Sequence, residues 1–444
     1  MSNSTVMTEG SIWKQLVKFA IPLILGNLFQ QLYNTVDSII VGNYIGKDAL
    51  AAVGSTGSVI NLLLAFCIGA SVGAGVVISQ YYGAKDERNV KIAVHTTVAI
   101  SIIGGIAMTV LGIFVTPWML RSMDTPANIY PQSKLYLQIY FGGILFSVIY
   151  NFCAGILNAV GNSKKALQYL MIAAGTNVVL DWAFVVIFGM GVEGVALATD
   201  IAQFVSFVYI IRFLMKSQDM IKLNLKEVKL NRSMAGKIIR MGVPTGIQNM
   251  VIAFSNIVIQ SSVNAFGENL MAAFAAYVKI DGFNFMPVMS FSNAATTFTG
   301  QNVGAGKYER VKKGMKVGLA LGIGYTLCTS VLLSVFGKYI YNIFVSDTEV
   351  IALGVYLLKF FCPFYFVLAT MHILAGTLRG AGKTLPPMLI IIFALCIFRI
   401  IWINITVPMF GEMKWIFMAY PISFVIGTTL MILYTWKANW LPKK

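Results

Sequence analysis

KQLVKFAIPLILGNLFQQLYNTVDSIIVGNYIG, residues 14–46, returns in altered form as GKIIRMGVPTGIQNMVIAFSNIVIQSSVNAFG, residues 236–267. Pro22 matches Pro244, Asn27 matches Asn249, Asn34 matches Asn256, and Gly46 meets Gly267 after one gap. Asp37 falls opposite Ile259. The repeat runs well beyond this first stretch. SQYYGAKDERNVK (79–91) matches GQNVGAGKYERVK (300–312), and AGILNAVGNSKKA (154–166) matches AGTLRGAGKTLPP (375–387). Each half holds six apolar runs, an even number, so the second copy enters lipid with the orientation of the first. The repeats are then parallel, related by an axis along the membrane normal, with any substrate cavity between two bundles. A carboxylate kept in one copy is the pattern of a transporter whose energy coupling sits in one half.

Composition fixes the class. The chain has 444 residues, 57% hydrophobic and 11% charged, against about 25% charged in a soluble protein. About 20 apolar residues span the hydrocarbon core as a helix, and an open sheet cannot, because its edge groups stay unpaired. The runs are too long for barrel strands. We therefore expect an all-α integral membrane protein with about twelve transmembrane helices in two parallel six-helix bundles. Residues 1–217 form the first bundle, 218–235 a cytoplasmic linker on the membrane surface and 236–444 the second bundle.

The net charge of +16 is read by its position. Lys and Arg concentrate in the N-terminal segment, the C-terminal tail and alternate connections, as at 85–91, 164–165, 212–240, 307–316 and 379–383. By the positive-inside rule both termini are cytoplasmic. No basic soluble domain exists to bind nucleic acid, so no nucleic-acid partner is expected. The start, MSNSTVMTEG, reads as leading into an uncleaved first helix. Cys67, Cys153, Cys328, Cys362 and Cys396 are widely spaced in apolar runs and read as small buried residues, with no metal or redox spacing. GAGKT at 380–384 lacks the first glycine and the strand of a nucleotide-binding loop, since Thr377 stands in that glycine's place. No nucleophile–base constellation is present, so the chain reads as no enzyme, and no cofactor is implied.

Polar residues inside the spans carry the functional signal. Asn27, Gln30, Gln31, Asn34 and Asp37 recur at spacings that put much of the set on one helix face. Asn249, Asn256 and Gln260 answer them in the second copy. Amides are costly against lipid, so both stripes face protein or a wet cavity; interhelical hydrogen bonding alone would also explain them. Asp37 lies deep in its span with no basic residue one turn away, suited to take and release a proton or to hold a cation. Asp181 follows Asn177 by four residues on one helix face, and Thr199 and Asp200 follow in the next span. Oxygens of this kind suit sodium, and paired carboxylates can share one proton. The second copy places Phe398 and Trp402 opposite Asn177 and Asp181, so it cannot rebuild the cluster. Its own charges are Lys279, Asp281 and Arg399, which form a structural ion pair between Asp281 and Arg399 or contact substrate. His95 and His372 are isolated and read as hydrogen-bonded core residues.

With its paired halves, Pro22 and Asp37, GQNVGAG at 300–306, NVVLD at 177–181 and GVEGVALAT at 191–199, the chain resembles the multidrug and toxic compound extrusion (MATE) transporters over nearly its full length. The resemblance implies a V-shaped, monomeric antiporter in the plasma membrane of a prokaryote. It would export organic cations or amphipathic drugs in exchange for H+ or Na+. In the prokaryotic branch with an acidic first bundle, the positions matching Asp37, Asn177, Asp181 and Thr199 form the ion site, where sodium would be the one metal bound. Other branches use acids in helices 7 and 10; here only Glu268 and Glu349 lie at the edges of those spans. A lipid-linked oligosaccharide flippase is the related alternative; it would favour a cavity richer in basic residues than Lys279 and Arg399 provide.

Overall fold

The structure is a computed structural model that describes residues 6–441; Lys443 and Lys444 of the basic C-terminal tail lie outside it. Twelve long helices follow in order. They are α1 (Ile12–Ile45), α2 (Lys47–Gly83), α3 (Glu87–Ser122), α4 (Tyr130–Ala159), α5 (Ser163–Ile187) and α6 (Val192–Lys216). The second half contributes α7 (Arg232–Asn264), α8 (Glu268–Gly304), α9 (Tyr308–Phe344), α10 (Thr348–Gly380), α11 (Leu385–Phe410) and α12 (Lys414–Lys437). No strand occurs among the described residues. All except α8 are long and apolar enough to cross a bilayer. α8 carries Lys279 and Asp281 and buries a polar run that includes Asn284, Ser292, Thr296 and Gln301. Its polarity is turned inward, where helix partners can satisfy it.

Local chemistry explains the helix ends. Asp86 caps α3, accepting from the Asn89 backbone N–H at 3.1 Å and the Asn89 side-chain amide at 2.6 Å. These two donors hold its exposed carboxyl below the usual carboxylate range. Asn162 and Asp347 cap α5 and α10 in the same way. The repeated glycines Gly46 and Gly267 have φ of 119° and 102° at the starts of α2 and α8, with open space where a Cβ would lie. They match because the backbone there needs glycine, not because space is short. Gly155 and Gly376 match for the other reason. A Cβ on Gly155 would stand 2.8 Å from the Ser71 carbonyl oxygen, and one on Gly376 would stand 2.3 Å from that of Ser292. The pair lets α4 touch α2, and α10 touch α8, backbone to backbone.

Two compact units result, and their boundaries fall inside helices, at the matched prolines. One unit comprises Pro22–Val243; the other joins Met7–Ile21 to the chain from Pro244 onward. In the first unit α4 is the central helix, packed against α2, α3 and α6. The connection after α6 belongs to this unit rather than hanging free. Ile221 and Leu223 are buried, and the Asn224 N–H donates to His95 Nε2 at 3.1 Å. His95 Nδ1 lies 2.7 Å from the Lys91 carbonyl oxygen, so the ring is fully hydrogen-bonded. The first turns of α7 also pack here: a Cβ on Gly73 would lie 2.1 Å from Gly242 Cα.

In the second unit α10 packs against α8, α9 and α12. The segment before α1 is fastened to the 300–312 motif. The Met7 N–H donates to Gln301 Oε1 at 2.8 Å, and Asn302 Nδ2 donates to the Met7 carbonyl at 3.2 Å. The Arg310 guanidinium donates to the carbonyls of Glu9 and Gly10 and to Gln15 Oε1. Met7, Leu16 and Ala20 are fully buried by this docking.

Candidate functional site

Four helices of the first unit bring the predicted acids together. Asp37 in α1 and Asp181 in α5 meet side chain to side chain, with their carboxyls within hydrogen-bonding reach of each other. Asp181 is fully buried and Asn177, one turn earlier, is 1% exposed. Oδ1 of Asp37 and both carboxyl oxygens of Asp181 have no hydrogen-bond donor among the described residues. Among the described residues no lysine or arginine nitrogen lies within 4.0 Å of either group. Asn177 Nδ2 donates to Thr199 Oγ1 at 3.4 Å, which itself donates to the Val195 carbonyl at 3.1 Å. Asn177 Oδ1 is buried without a donor. Buried acceptors without donors are expensive. Oxygens grouped in this way have the chemistry to take up a proton or a small hard cation. Beyond Asp37 and Asp181 the terminal turns of both helices widen to π-helical geometry, at Val41–Ile45 and Ala183–Ile187, and these turns touch. Such turns re-aim side chains locally.

Asp200 sits apart from this set. It follows Thr199 in α6 but faces α4, where its carboxyl lies against the Gly143 backbone. A Cβ on Gly143 would stand 2.1 Å from Asp200 Cγ. Two tyrosines of α4, Tyr136 and Tyr140, complete the surroundings: Tyr136 feels the charges of Asp37, Asp181 and Asp200, and Tyr140 that of Asp200. The sequence reading missed both, although their spacing with Gly143 puts all three on one face of α4. Tyr33 lies beside Gln30 in the stripe of α1. Asn27 and Gln30 are partly buried, whereas Gln31 and Asn34 are exposed.

The second unit builds something different. Ile259, opposite Asp37, is fully buried. Trp402, opposite Asp181, lies against Phe398 with ring centroids 5.7 Å apart and the rings tilted by 35°, and donates its indole N–H to the Trp415 carbonyl at 2.9 Å. Asn256 is exposed, and Gln260 donates to Asn264 Oδ1 at 2.8 Å. Asp281 and Arg399 do not form a direct ion pair: no contact of 4.0 Å or less joins them. Arg399 donates instead to Ser423 Oγ at 2.8 Å and lies 4.1 Å from the Tyr420 ring centroid. Asp281 is faced by the hydroxyls of Tyr365 and Tyr277, themselves 3.0 Å apart. Lys279 is exposed. His372 departs from its expected hydrogen-bonded state. Both ring nitrogens are buried without partners among the described residues, and the ring packs edge-on to Phe285. Arg379, counted above in a basic connection, is 2% exposed and donates to Ser292 Oγ at 3.0 Å. Cys328 is exposed, unlike the other four cysteines. No cluster of three metal-ligating His, Cys, Asp or Glu side chains occurs among the described residues.

Comparison with known proteins agrees with this duplicated plan. The MatE family model matches residues 22–183 and again 244–404, one match per copy and each beginning at a boundary proline. A Bacillus subtilis relative named "Probable multidrug resistance protein YpnP" is 30% identical over 437 residues, covering 98% of both chains. A Thermotoga maritima relative named "Probable multidrug resistance protein NorM" is 28% identical over 97% of this chain and 93% of its own. Among solved structures, an outward-facing MATE family transporter of the MOP superfamily superposes with a TM-score of 0.90 at 22% identity. It covers 98% of this chain and 97% of its own. Twice-matched along its length and helical throughout, the chain is a multi-pass membrane protein that belongs to the multidrug and toxic compound extrusion (MATE) family.

Proposed function

We propose that the protein is a secondary antiporter of the plasma membrane of a prokaryote. It exports organic cations or amphipathic drugs in exchange for protons or sodium ions, which bind at Asp37, Asn177, Asp181 and Thr199. The observation that carries this reading is the buried, donorless meeting of Asp37 and Asp181 in the first unit. The names of the bacterial relatives support the drug class, and the positive-inside pattern supports cytoplasmic termini.

The chemistry follows from the oxygens. A proton between Asp37 and Asp181 gives an acceptor its missing donor and removes one of two facing negative charges. A sodium ion would instead draw on both carboxyls, Asn177 Oδ1 and Thr199 Oγ1, an all-oxygen set suited to a hard cation. A proton draws α1 and α5 together and a sodium ion would draw in α6 as well, and loss of either leaves like charges face to face. A bound ion therefore favours one packing of these helices over another, and that difference in affinity is what drives a conformational cycle.

The test is dye efflux from proteoliposomes under an imposed sodium gradient and, separately, an imposed pH gradient. The native protein is expected to respond to one or both. Asp37→Asn and Asp181→Asn should each reduce gradient-driven efflux to the level of empty vesicles. Full efflux in both variants would reject the site.

A further inference from the structure

Asp200 is a carboxyl that the ion site above does not use. It lies in the same unit as Asp37 and Asp181 but on the other side of Thr199, turned to α4. Its seat is specific. The missing side chain of Gly143 leaves the notch that the carboxyl fills, since any Cβ there would overlap Cγ and both carboxyl oxygens at 2.1–2.5 Å. Tyr136, Tyr140 and Gly143 share one face of α4 at spacings of four and three residues. The rings of Tyr136 and Tyr140 lie 6.4 Å apart and nearly parallel, and each residue is only 7% exposed. Tyr136 is the residue that feels all three carboxylates. The α4 face therefore runs from the Asp37–Asp181 pair at Tyr136 to the Asp200 seat at Gly143. Seven residues separate them, about 10 Å of helix.

No Lys or Arg nitrogen lies within 4.0 Å of Asp200 among the described residues. Its ionised form thus has no direct counter-charge. A sodium ion would need several oxygen ligands around it, whereas the wall this seat shows is the α4 backbone at Gly143. A proton needs only the carboxyl itself. Asp200 is also partly exposed rather than sealed, and the phenol hydroxyls of the α4 face can both donate and accept.

We propose that Asp200 is a second proton-carrying carboxyl of the first unit, seated at Gly143 and linked to Asp37 and Asp181 along the Tyr136–Tyr140 face, so that each transport cycle moves one more proton than the Asp37–Asp181 site alone accounts for. This rests on the antiport reading. It holds whether the Asp37–Asp181 pair exchanges a proton or a sodium ion.

The experiment counts protons. Native protein and Asp200→Asn are reconstituted in vesicles with the membrane potential clamped at zero and sodium equal on both sides. The limiting accumulation ratio of a transported dye is then measured as the pH difference is varied. Each coupled proton multiplies that limit about tenfold per pH unit. Asp200→Asn should therefore lower the limit about tenfold at a difference of one pH unit, reducing the logarithmic slope by one. Asp200→Ser, which fits within the notch, should do the same and serves where Asn disturbs folding. Variants that transport more slowly but reach the native limit would overturn the proposal and leave Asp200 a packing residue. Those results are separable from failure of the antiport reading, in which the native protein accumulates dye under neither gradient and the proposal falls with it.

Discussion

Replacing Asp181 by Asn should make the folded protein more stable while removing its coupling. Asp181 and Asp37 present three buried oxygens that no donor reaches. Asn keeps the shape of Asp and adds an amide group able to donate to Asp37. A new hydrogen bond to a buried, previously unpartnered acceptor is worth about 1–2 kcal/mol. For a cooperative unit of this size that raises the unfolding midpoint by about 2–8 °C. Asp181→Ala is the control. It leaves Asp37 without a donor and opens a void, so its midpoint should fall below that of Asp181→Asn. The assay is already built into the chain. Cys67, Cys153, Cys362 and Cys396 are buried and Cys328 is exposed. A dye that fluoresces on reacting with thiols reports the four buried cysteines only on unfolding. The expected pairing is a higher midpoint with no gradient-driven efflux. An Asp181→Asn protein that melts at or below the native midpoint would refute the argument that the site is held in an unsatisfied state.

Two further outcomes follow. Gly73→Val should prevent the first turns of α7 from docking on α2, because the first added carbon already meets backbone at 2.1 Å. Backbone cannot give way as a side chain can, so we expect a loss above the roughly 1–3 kcal/mol of ordinary overpacking, measured as a sharp fall in monodisperse protein on size-exclusion chromatography. Asp86 gives an acid-sensitive helix end. Its folded carboxyl is held down by Asn89, so the cap's contribution is complete above the unfolded carboxylate value and is lost as pH falls through the lower folded one. Hydrogen exchange at the Asn89 and Val90 amides should accelerate there beyond its intrinsic pH dependence, and Asp86→Ala should exchange at the faster rate throughout.

The repeat made the twelve-helix plan legible, because matched prolines and glycines mark shared backbone needs. Gly46 with Gly267 and Gly155 with Gly376 are legible as pairs in sequence, and the structure supplies the two different reasons. Asp37, Asn177, Asp181 and Thr199 stood out because a polar group in an apolar run must be explained. Tyr136 and Tyr140 did not stand out, since an aromatic ring in a span is equally at home against lipid; only packing against the acids distinguishes them. Asp281 and Arg399 were paired by charge, but an arginine can satisfy itself on Ser423 and the face of Tyr420 instead. Arg379 was grouped with cytoplasmic charges by its neighbours, and nothing local signals that its own side chain turns inward. Pro22 and Pro244 were visible as matches, yet sequence carries no sign of which unit claims the turns before each of them.

That division has a consequence for how such a chain can be taken apart. A cut in the connection between α6 and α7 would seem to release two natural halves. Neither would be self-sufficient. The N-terminal fragment would carry residues 7–21 with their partners Gln301, Asn302 and Arg310 gone, and would lack the Gly242 turn that covers Gly73. The C-terminal fragment would be short of the arm that carries Leu16 and would own an arm with nothing to clasp. Each half is thus complete only with a piece of its twin.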